Sequence, residues 1–430
     1  GICYGMHWLA KEFGGTVETI TDQSGFGVEC IYRMIADPIL SCVRDKESVL
    51  SSHGDTVTKL PAQFEQCAFT VSSKAIAAMR WFDRQIWGLQ FHPEVPETPS
   101  GKNMLSCFVR CVCTCLNDWE PKNIIADIQH KTLAALGNHK AIIGFSGGVD
   151  SSTLAAILAP TLQDNLLAVT IDAGNLREGE LKEIVETASF INVRHLIIDA
   201  AEQFQSVLST LTEAELKRQA FSLMYRAILN GTAAAHGALD DNDRPLLIQG
   251  SLATDFIESG CKGAATVIKT HHNTFFGIHP LGELFKYEVR ELARNLNLPV
   301  SISERQPFPG PGLFVRILGV PPTTELLEIV RWADAQVTKI LKNHLIYDTL
   351  SQLVVALNGV KTVGVKGDAR VYAYSIFVRA VTTLDFMTAT GFQIRDNVRR
   401  EITSAVVKHP AIVRVLYDET DKPPATTEFE

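Results

Sequence analysis

Cys3 lies in Gly1-Ile2-Cys3-Tyr4-Gly5-Met6, a G-x-C-x-G stretch with the small flanking residues that a sharp strand-to-helix turn requires. Such a turn exposes its central side chain at a helix N-terminus, where the dipole lowers the thiol pKa and favours thiolate. A thiol nucleophile also needs a base, and Gly88-Leu89-Gln90-Phe91-His92-Pro93-Glu94 supplies one. His92 can take the thiol proton, and Glu94, two residues on, can hold the imidazole in the required tautomer. Alone, a cysteine is more often a buried structural thiol. Cys3, His92 and Glu94 together point to a catalytic triad.

A second stretch, Phe145-Ser146-Gly147-Gly148-Val149-Asp150-Ser151-Ser152, follows the apolar run Ala141-Ile142-Ile143-Gly144 and precedes a helical pattern. A strand, a Gly-Gly turn and a helix N-terminus form an anion site, because first-turn amides and the helix dipole both face the ligand. The hydroxyls of Ser146, Ser151 and Ser152 can donate to phosphate oxygens, and Asp150 can hold a magnesium ion against them. No G-K-[ST] follows the turn, which rules out the kinase-type phosphate loop.

The elements that must position this turn alternate along the chain. Residues 166–172 and 194–199 read as apolar strands, 178–190 as a helix between them, and 244–250 as a further strand. That rhythm predicts a doubly wound, mostly parallel sheet with its ligands at the carboxyl ends of the strands. Gly147, Gly148, Val149, Asp172 and Gln249 all belong to such ends, and the backbone around Val169 suits an adenine edge. Further on, Pro307-Phe308-Pro309-Gly310-Pro311-Gly312 fixes a rigid non-helical connection, which alone reads as an interdomain linker. An amphipathic helix over 323–342 and β-branched runs at 361–365, 371–378 and 412–417 then give a separate α+β pattern.

Composition sets limits. A chain of 430 residues with 46% hydrophobic and 20% charged residues is ordinary for a globular protein of several domains. Its net charge of −8 argues against nucleic-acid or membrane surfaces as partners. No apolar run reaches the roughly 18 residues of a spanning helix. Nine cysteines suggest a reducing, cytosolic setting rather than a disulfide framework. Cys107, Cys111 and Cys115 share a helical face and lack a second metal hook, so they read as small packing residues.

The triad and Ser52-His53-Gly54-Asp55 resemble the class I glutamine amidotransferases, which release ammonia from glutamine. The resemblance implies that strands and an oxyanion loop precede Gly1, leaving this domain partial at its N-terminal side. His7 stands where that class usually has a glutamine. From SGGVDSS onward, IDAGNLR (171–177), LIQGSLATDFIESG (247–260), IKTHHN (268–273), PLGELFKYEVRELARNLNLP (280–299), RQPFPGPGL (305–313), KGDARVYAYSIFVRAVTTLDFMTA (366–389) and KPPATTEFE (422–430) occur in order. Together they resemble the glutamine-hydrolysing GMP synthase family over essentially the whole chain.

That resemblance implies three domains: an amidotransferase domain at 1–117, an ATP pyrophosphatase domain at 118–305, and a dimerisation and acceptor-binding domain at 306–430. It implies ATP with Mg2+, xanthosine 5'-monophosphate and glutamine or ammonia as partners, in a cytosolic homodimer. Lys269 would be a lid lysine that neutralises charge at the α-phosphate, accompanied by His271 and His272. Asp255 and Glu258 match acids of the ATP domain, with Thr254 where a proline is usual. Pro309, Gly310, Arg370, Lys422 and Glu428, with Lys366 beside them, fall in segments implied to contact xanthosine monophosphate. The connection at 274–279 is shorter than the family's. Two other readings stay open: an ammonia-only synthase, and a catalytically weak homologue that binds or regulates.

Overall fold

The computed structural model describes residues 1–116, 119–258, 277–383, 386 and 388–429, with only the backbone at 257 and 258. The chain divides into two compact units, Gly1–Asp118 and Trp119–Glu430.

In the first unit, Gly25–Arg33, Lys46–His53, Glu65–Thr70, Ile76–Trp81 and Ile86–Leu89 form a five-stranded antiparallel sheet. The helix Tyr4–Glu12 packs Met6 and Ala10 against Val57, Phe64 and Met79. Ile2 pairs in parallel with Leu89, which docks the entry to that helix on the last strand. The α-helix Gly101–Cys107 passes into a π-turn at Phe108–Val112. That change of register leaves Cys111, Cys113 and Cys115 exposed, so the expected packed cysteine face does not form.

The second unit contains four parallel strands in the order Arg194–Asp199, Leu166–Asp172, Ala141–Gly144, Leu247–Ile248. Alternation divides their side chains between two cores. Ala141 and Ile143 meet Ile124, Leu154, Leu158 and Val289 of flanking helices, whereas Ile142 meets Phe221, Leu229 and Leu313. Both faces are covered, as a doubly wound sheet requires. The strand expected over 244–250 shortens, because Pro245 pairs with Leu239 and the Leu246 N–H is taken by the Ala238 carbonyl.

Beyond residue 305, strands Gln352–Lys366 and Ala369–Thr382 form a long antiparallel hairpin. Ile412–Asp418 adds in parallel to its second strand. Helices Thr324–Asn343 and Asp396–Val406 bury Leu327, Val337, Val398 and Ile402 in the core that this sheet shares with one face of the parallel sheet.

Candidate active site

Cys3 has φ 48° and ψ −109°, a backbone conformation costly for any residue with a side chain. Its surroundings hold it there. The Cys3 N–H donates to the Leu89 carbonyl at 2.8 Å, while the Cys3 carbonyl accepts the Met6 N–H at 2.9 Å to begin the helix. Gly1 has no alternative: a Cβ there would meet the Gly5 carbonyl oxygen at 2.5 Å. His92 Nδ1 lies 2.6 Å from a Glu94 carboxylate oxygen, which orients the ring as the two-residue spacing predicts.

Thr98 was not visible as a site residue from sequence. Buried, it donates from Oγ1 to the His92 carbonyl at 2.6 Å and accepts the Leu50 N–H at 3.1 Å, clamping the His92 backbone to the strand Lys46–His53. His7 is buried 2.8 Å from the side-chain oxygen of Gln90. The thiol departs from the expectation of a lowered pKa. Burial pushes Cys3 up, the Tyr4 N–H pulls it back, and the Glu94 carboxylate adds a further upward push. Desolvation outweighs the helix terminus.

At the glycine turn, Gly147 has φ +68°, and a Cβ there would meet Ile184 at 2.7 Å. Gly148 precedes the helix Val149–Leu162. Ser146 and Ser151 are knit together: their hydroxyls lie 3.1 Å apart, and the Gly148 N–H donates to Ser146 Oγ at 3.3 Å. Ser152 Oγ, by contrast, is buried on the core side without a hydrogen-bond partner. Asp150 Oδ2 lies 2.5 Å from Lys286 Nζ, and its Oδ1 is buried with no partner.

The other strand ends behave differently from one another. Gly250 packs on the Asp150 backbone at 3.4 Å from its would-be Cβ, so the segment after Gln249 reaches the turn. Asp172 accepts the Gly174 N–H at 2.9 Å, closing the loop that follows its strand. Val169 is fully buried between two strands, and its carbonyl accepts the Phe145 N–H at 2.8 Å. That carbonyl is thus already engaged by the sheet ladder. Lys269, His271 and His272 lie outside the described residues, as does the side chain of Glu258.

The acceptor-segment residues divide into two groups. Pro309 and Gly310 form a turn on Asn175, whose Nδ2 donates to the Gly310 carbonyl at 3.1 Å. Lys422 Nζ donates to the Phe386 carbonyl at 2.6 Å. Glu428 is buried, with one oxygen 3.0 Å from Arg316 Nη2 and 2.6 Å from Gln352 Nε2. Arg316 also reaches Asp334 at 3.2 Å, and its guanidinium lies 4.8 Å from the centroid of Phe308. On the same ring, the Arg177 guanidinium lies at 4.3 Å.

Arg370 is elsewhere. It pairs with Val365 near the hairpin tip, whereas Gln352 pairs with Val381 at the base. At ~3.3 Å per residue the two ends are roughly 40 Å apart, so one chain does not bring Arg370 to Glu428. Lys366 is likewise committed, donating to the Val407 and His409 carbonyls. Sequence reasoning missed Arg177, Lys286, Arg305 and Arg316. Each lay inside a quoted or adjacent motif, but as an ordinary surface cation.

Residues 1–111 match the model of Glutamine amidotransferase class-I, residues 122–235 that of NAD synthase, and residues 339–429 that of the GMP synthase C terminal domain. The chain is therefore an amidotransferase joined to an ATP-utilising α/β enzyme. GMP synthase [glutamine-hydrolyzing] of Alkalilimnicola ehrlichii is 39% identical over 453 residues, covering 100% of this chain and 84% of that protein. The proteins of the same name from Lactobacillus delbrueckii subsp. bulgaricus and Staphylococcus saprophyticus are 40% and 38% identical, each over 100% of this chain and 84% of their own. The chain belongs to the glutamine-hydrolysing GMP synthase family. No described helix is long and apolar enough to cross a membrane.

Proposed function

We propose that the chain aminates xanthosine 5'-monophosphate to GMP at the expense of ATP, with ammonia drawn from glutamine. The observation that carries this reading is the turn Ser146–Ser152 in the same compact unit as the Arg177–Phe308–Arg316–Glu428 group, whose Arg316 and Glu428 are buried. In this reading residues 1–117 form the amidotransferase domain, 118–305 the adenylating domain, and 306–430 the acceptor-binding and dimerising domain.

Each step needs a residue type that is present. His92, oriented by Glu94, takes the Cys3 proton and passes it to the amide nitrogen as sulfur attacks the glutamine amide carbon; ammonia leaves, and water then hydrolyses the thioester to glutamate and free Cys3. The backbone amides and the Ser146 and Ser151 hydroxyls hold the β- and γ-phosphates, while Lys286 offsets their charge. The C2 oxygen of the acceptor attacks the α-phosphate, pyrophosphate leaves, and ammonia then displaces AMP. Lys269 would neutralise charge at the α-phosphate. Asp172 and Gln249 flank the nucleotide, and Arg370, Lys422 and Glu428 are assigned to the acceptor, Arg370 from a second copy.

The residues fit a divalent cation held chiefly by the nucleotide. Asp150 offers one orphaned carboxylate oxygen, and no cluster of three or more ligand side chains occurs among the described residues. Mg2+ prefers such a site, with one carboxylate, phosphates and water, and it would lower the charge on the leaving pyrophosphate.

The test is AMP release from ATP with xanthosine monophosphate, first with ammonium and then with glutamine. Activity with both supports the reading. Activity with ammonium alone assigns the chain to the ammonia-only alternative, and none with either overturns the proposal.

A further inference from the structure

We infer that Arg305 couples the two nucleotide sites, so that acceptor binding tightens ATP binding through the Gly147 backbone. The inference rests on the reading above of Ser146–Ser152 as the pyrophosphate cradle and of the Phe308–Glu428 group as the acceptor site. Arg305 touches the turn directly and the acceptor group through Glu180. Its Nη1 donates to the Gly147 carbonyl at 2.9 Å, and its Nη2 to Glu180 Oε1 at 2.6 Å.

Glu180 is 5% exposed and passes the contact on. Its second oxygen accepts the Arg177 N–H at 2.9 Å. The Arg177 guanidinium covers Phe308 and lies 3.6 Å from Asp334, which holds Arg316, which in turn holds Glu428. Gly147, Arg305, Glu180, Arg177, Asp334, Arg316 and Glu428 thus form a series of polar contacts that enters Arg177 at its backbone N–H and leaves it through an ion pair with Asp334 longer than a hydrogen bond.

The geometry leaves little slack at either end. Gly147 is pressed between Arg305 and Ile184, where even a Cβ would come within 3.3 Å of Nη1. Gln306, the next residue, is buried and bonded to the Tyr347 carbonyl and the Leu353 N–H, both at 2.9 Å. The buried Gln306 side chain thus anchors the segment beside Arg305. A ligand that fixes Arg177 fixes Glu180, and with it the arginine that sets the Gly147 carbonyl. Arg305 is on this account a positioning residue: it acts on the nucleotide only through the turn.

Coupling is reciprocal and measurable without turnover. Titrate a non-hydrolysable ATP analogue into the full chain with and without saturating xanthosine monophosphate, using calorimetry. The parent should bind the analogue on the order of tenfold more tightly when the acceptor is present, within the usual range for linked sites. Arg305→Met should bring that ratio to about one while the protein still binds each ligand. Arg305→Lys keeps a charge for Glu180 but cannot donate to both partners in a fork, so it too should lose the effect.

Glu180→Gln should match them, and the double variant Arg305→Lys/Glu180→Gln should be no worse than either single change. A parent that binds both ligands without mutual effect overturns the coupling and leaves the functional reading standing. Variants that retain the parent's ratio also overturn it. A parent that binds neither ligand overturns the reading itself, and this inference with it.

Discussion

Lys286 Nζ lies 2.5 Å from Asp150 Oδ2, joining residues 136 positions apart at the mouth of the glycine turn. Lys286 begins the helix Lys286–Asn295, and Asp150 lies in the first turn of the helix behind the serine loop. A cation fixed there is placed to offset charge that builds as pyrophosphate departs. Lys286→Met should lower ammonium-dependent AMP formation roughly 100-fold, within the range for losing one electrostatic contact to a transition state. A variant within threefold of the parent would remove Lys286 from the mechanism.

The amidotransferase chemistry should separate cleanly from adenylation. Cys3→Ala should abolish glutamine-dependent AMP release and leave the ammonium-dependent rate unchanged. If both rates fall together, the division of labour is wrong.

The Cys3 thiol also makes a prediction with a sign. The Glu94 carboxylate contributes to the upward shift of the thiol, so neutralising it should ease ionisation. Glu94→Gln should move the pH midpoint of Cys3 alkylation downward, followed by mass spectrometry of the Cys3 peptide. Glutamine turnover should nevertheless drop by about 10²–10⁴, because His92 loses the group that orients it. An unmoved or raised midpoint would contradict the electrostatic account.

Glu428 and Arg316 are both almost fully buried, and their ion pair closes across 112 residues. Glu428→Ala leaves a guanidinium without its main carboxylate and should destabilise the second unit by about 3–5 kcal/mol in urea unfolding. Adding Arg316→Met should recover part of the loss. A double variant that is simply the sum of the two singles would show that the pair is not the source.

Lys217 ties the helix Ala214–Ala235 to the segment beyond the proline run. Its Nζ donates to the Ile317 and Val320 carbonyls at 2.6 and 2.9 Å. Burial lowers its pKa from the ordinary 10.5 to about 8. Between these values the unfolded chain binds the extra proton, so this group's contribution to stability rises with pH from about 8 to 10.5. In Lys217→Met that part of the slope should vanish when unfolding free energies of parent and variant are compared across the range. Parallel curves would refute the shift.

What could be read from sequence was local. The serine-glycine turn, Cys3, and the His92–Glu94 pair depend on neighbours one to three residues away, and spacing alone discloses them. The strand at 166–172 was equally plain, since burial on both faces makes it a continuous apolar run; the edge strand at 194–199 was legible from its short apolar centre although neither of its faces is fully buried. Arg305, Arg316 and Lys286 were not legible: their partners are Gly147, Glu428 and Asp150, more than a hundred residues away. At Val169 composition does not decide, because a strand end and a strand interior share one composition. Here the neighbouring ladder decides which backbone groups stay open. The Cys3 thiol misled for a similar reason, because burial is a property of the fold and outweighed the helix terminus.

The segment 305–313 shows what composition conceals. Prolines and glycines suggest a tether between domains, the kind of chain that endopeptidases open first. Here Gln306, Gly310, Gly312 and Leu313 are hydrogen-bonded into their surroundings, so no stretch of it can enter a protease cleft as an extended strand. Under limited digestion of the native chain this seam should be among the last to be cut. Trypsin should leave the bond after Arg305 intact until the whole second unit unfolds.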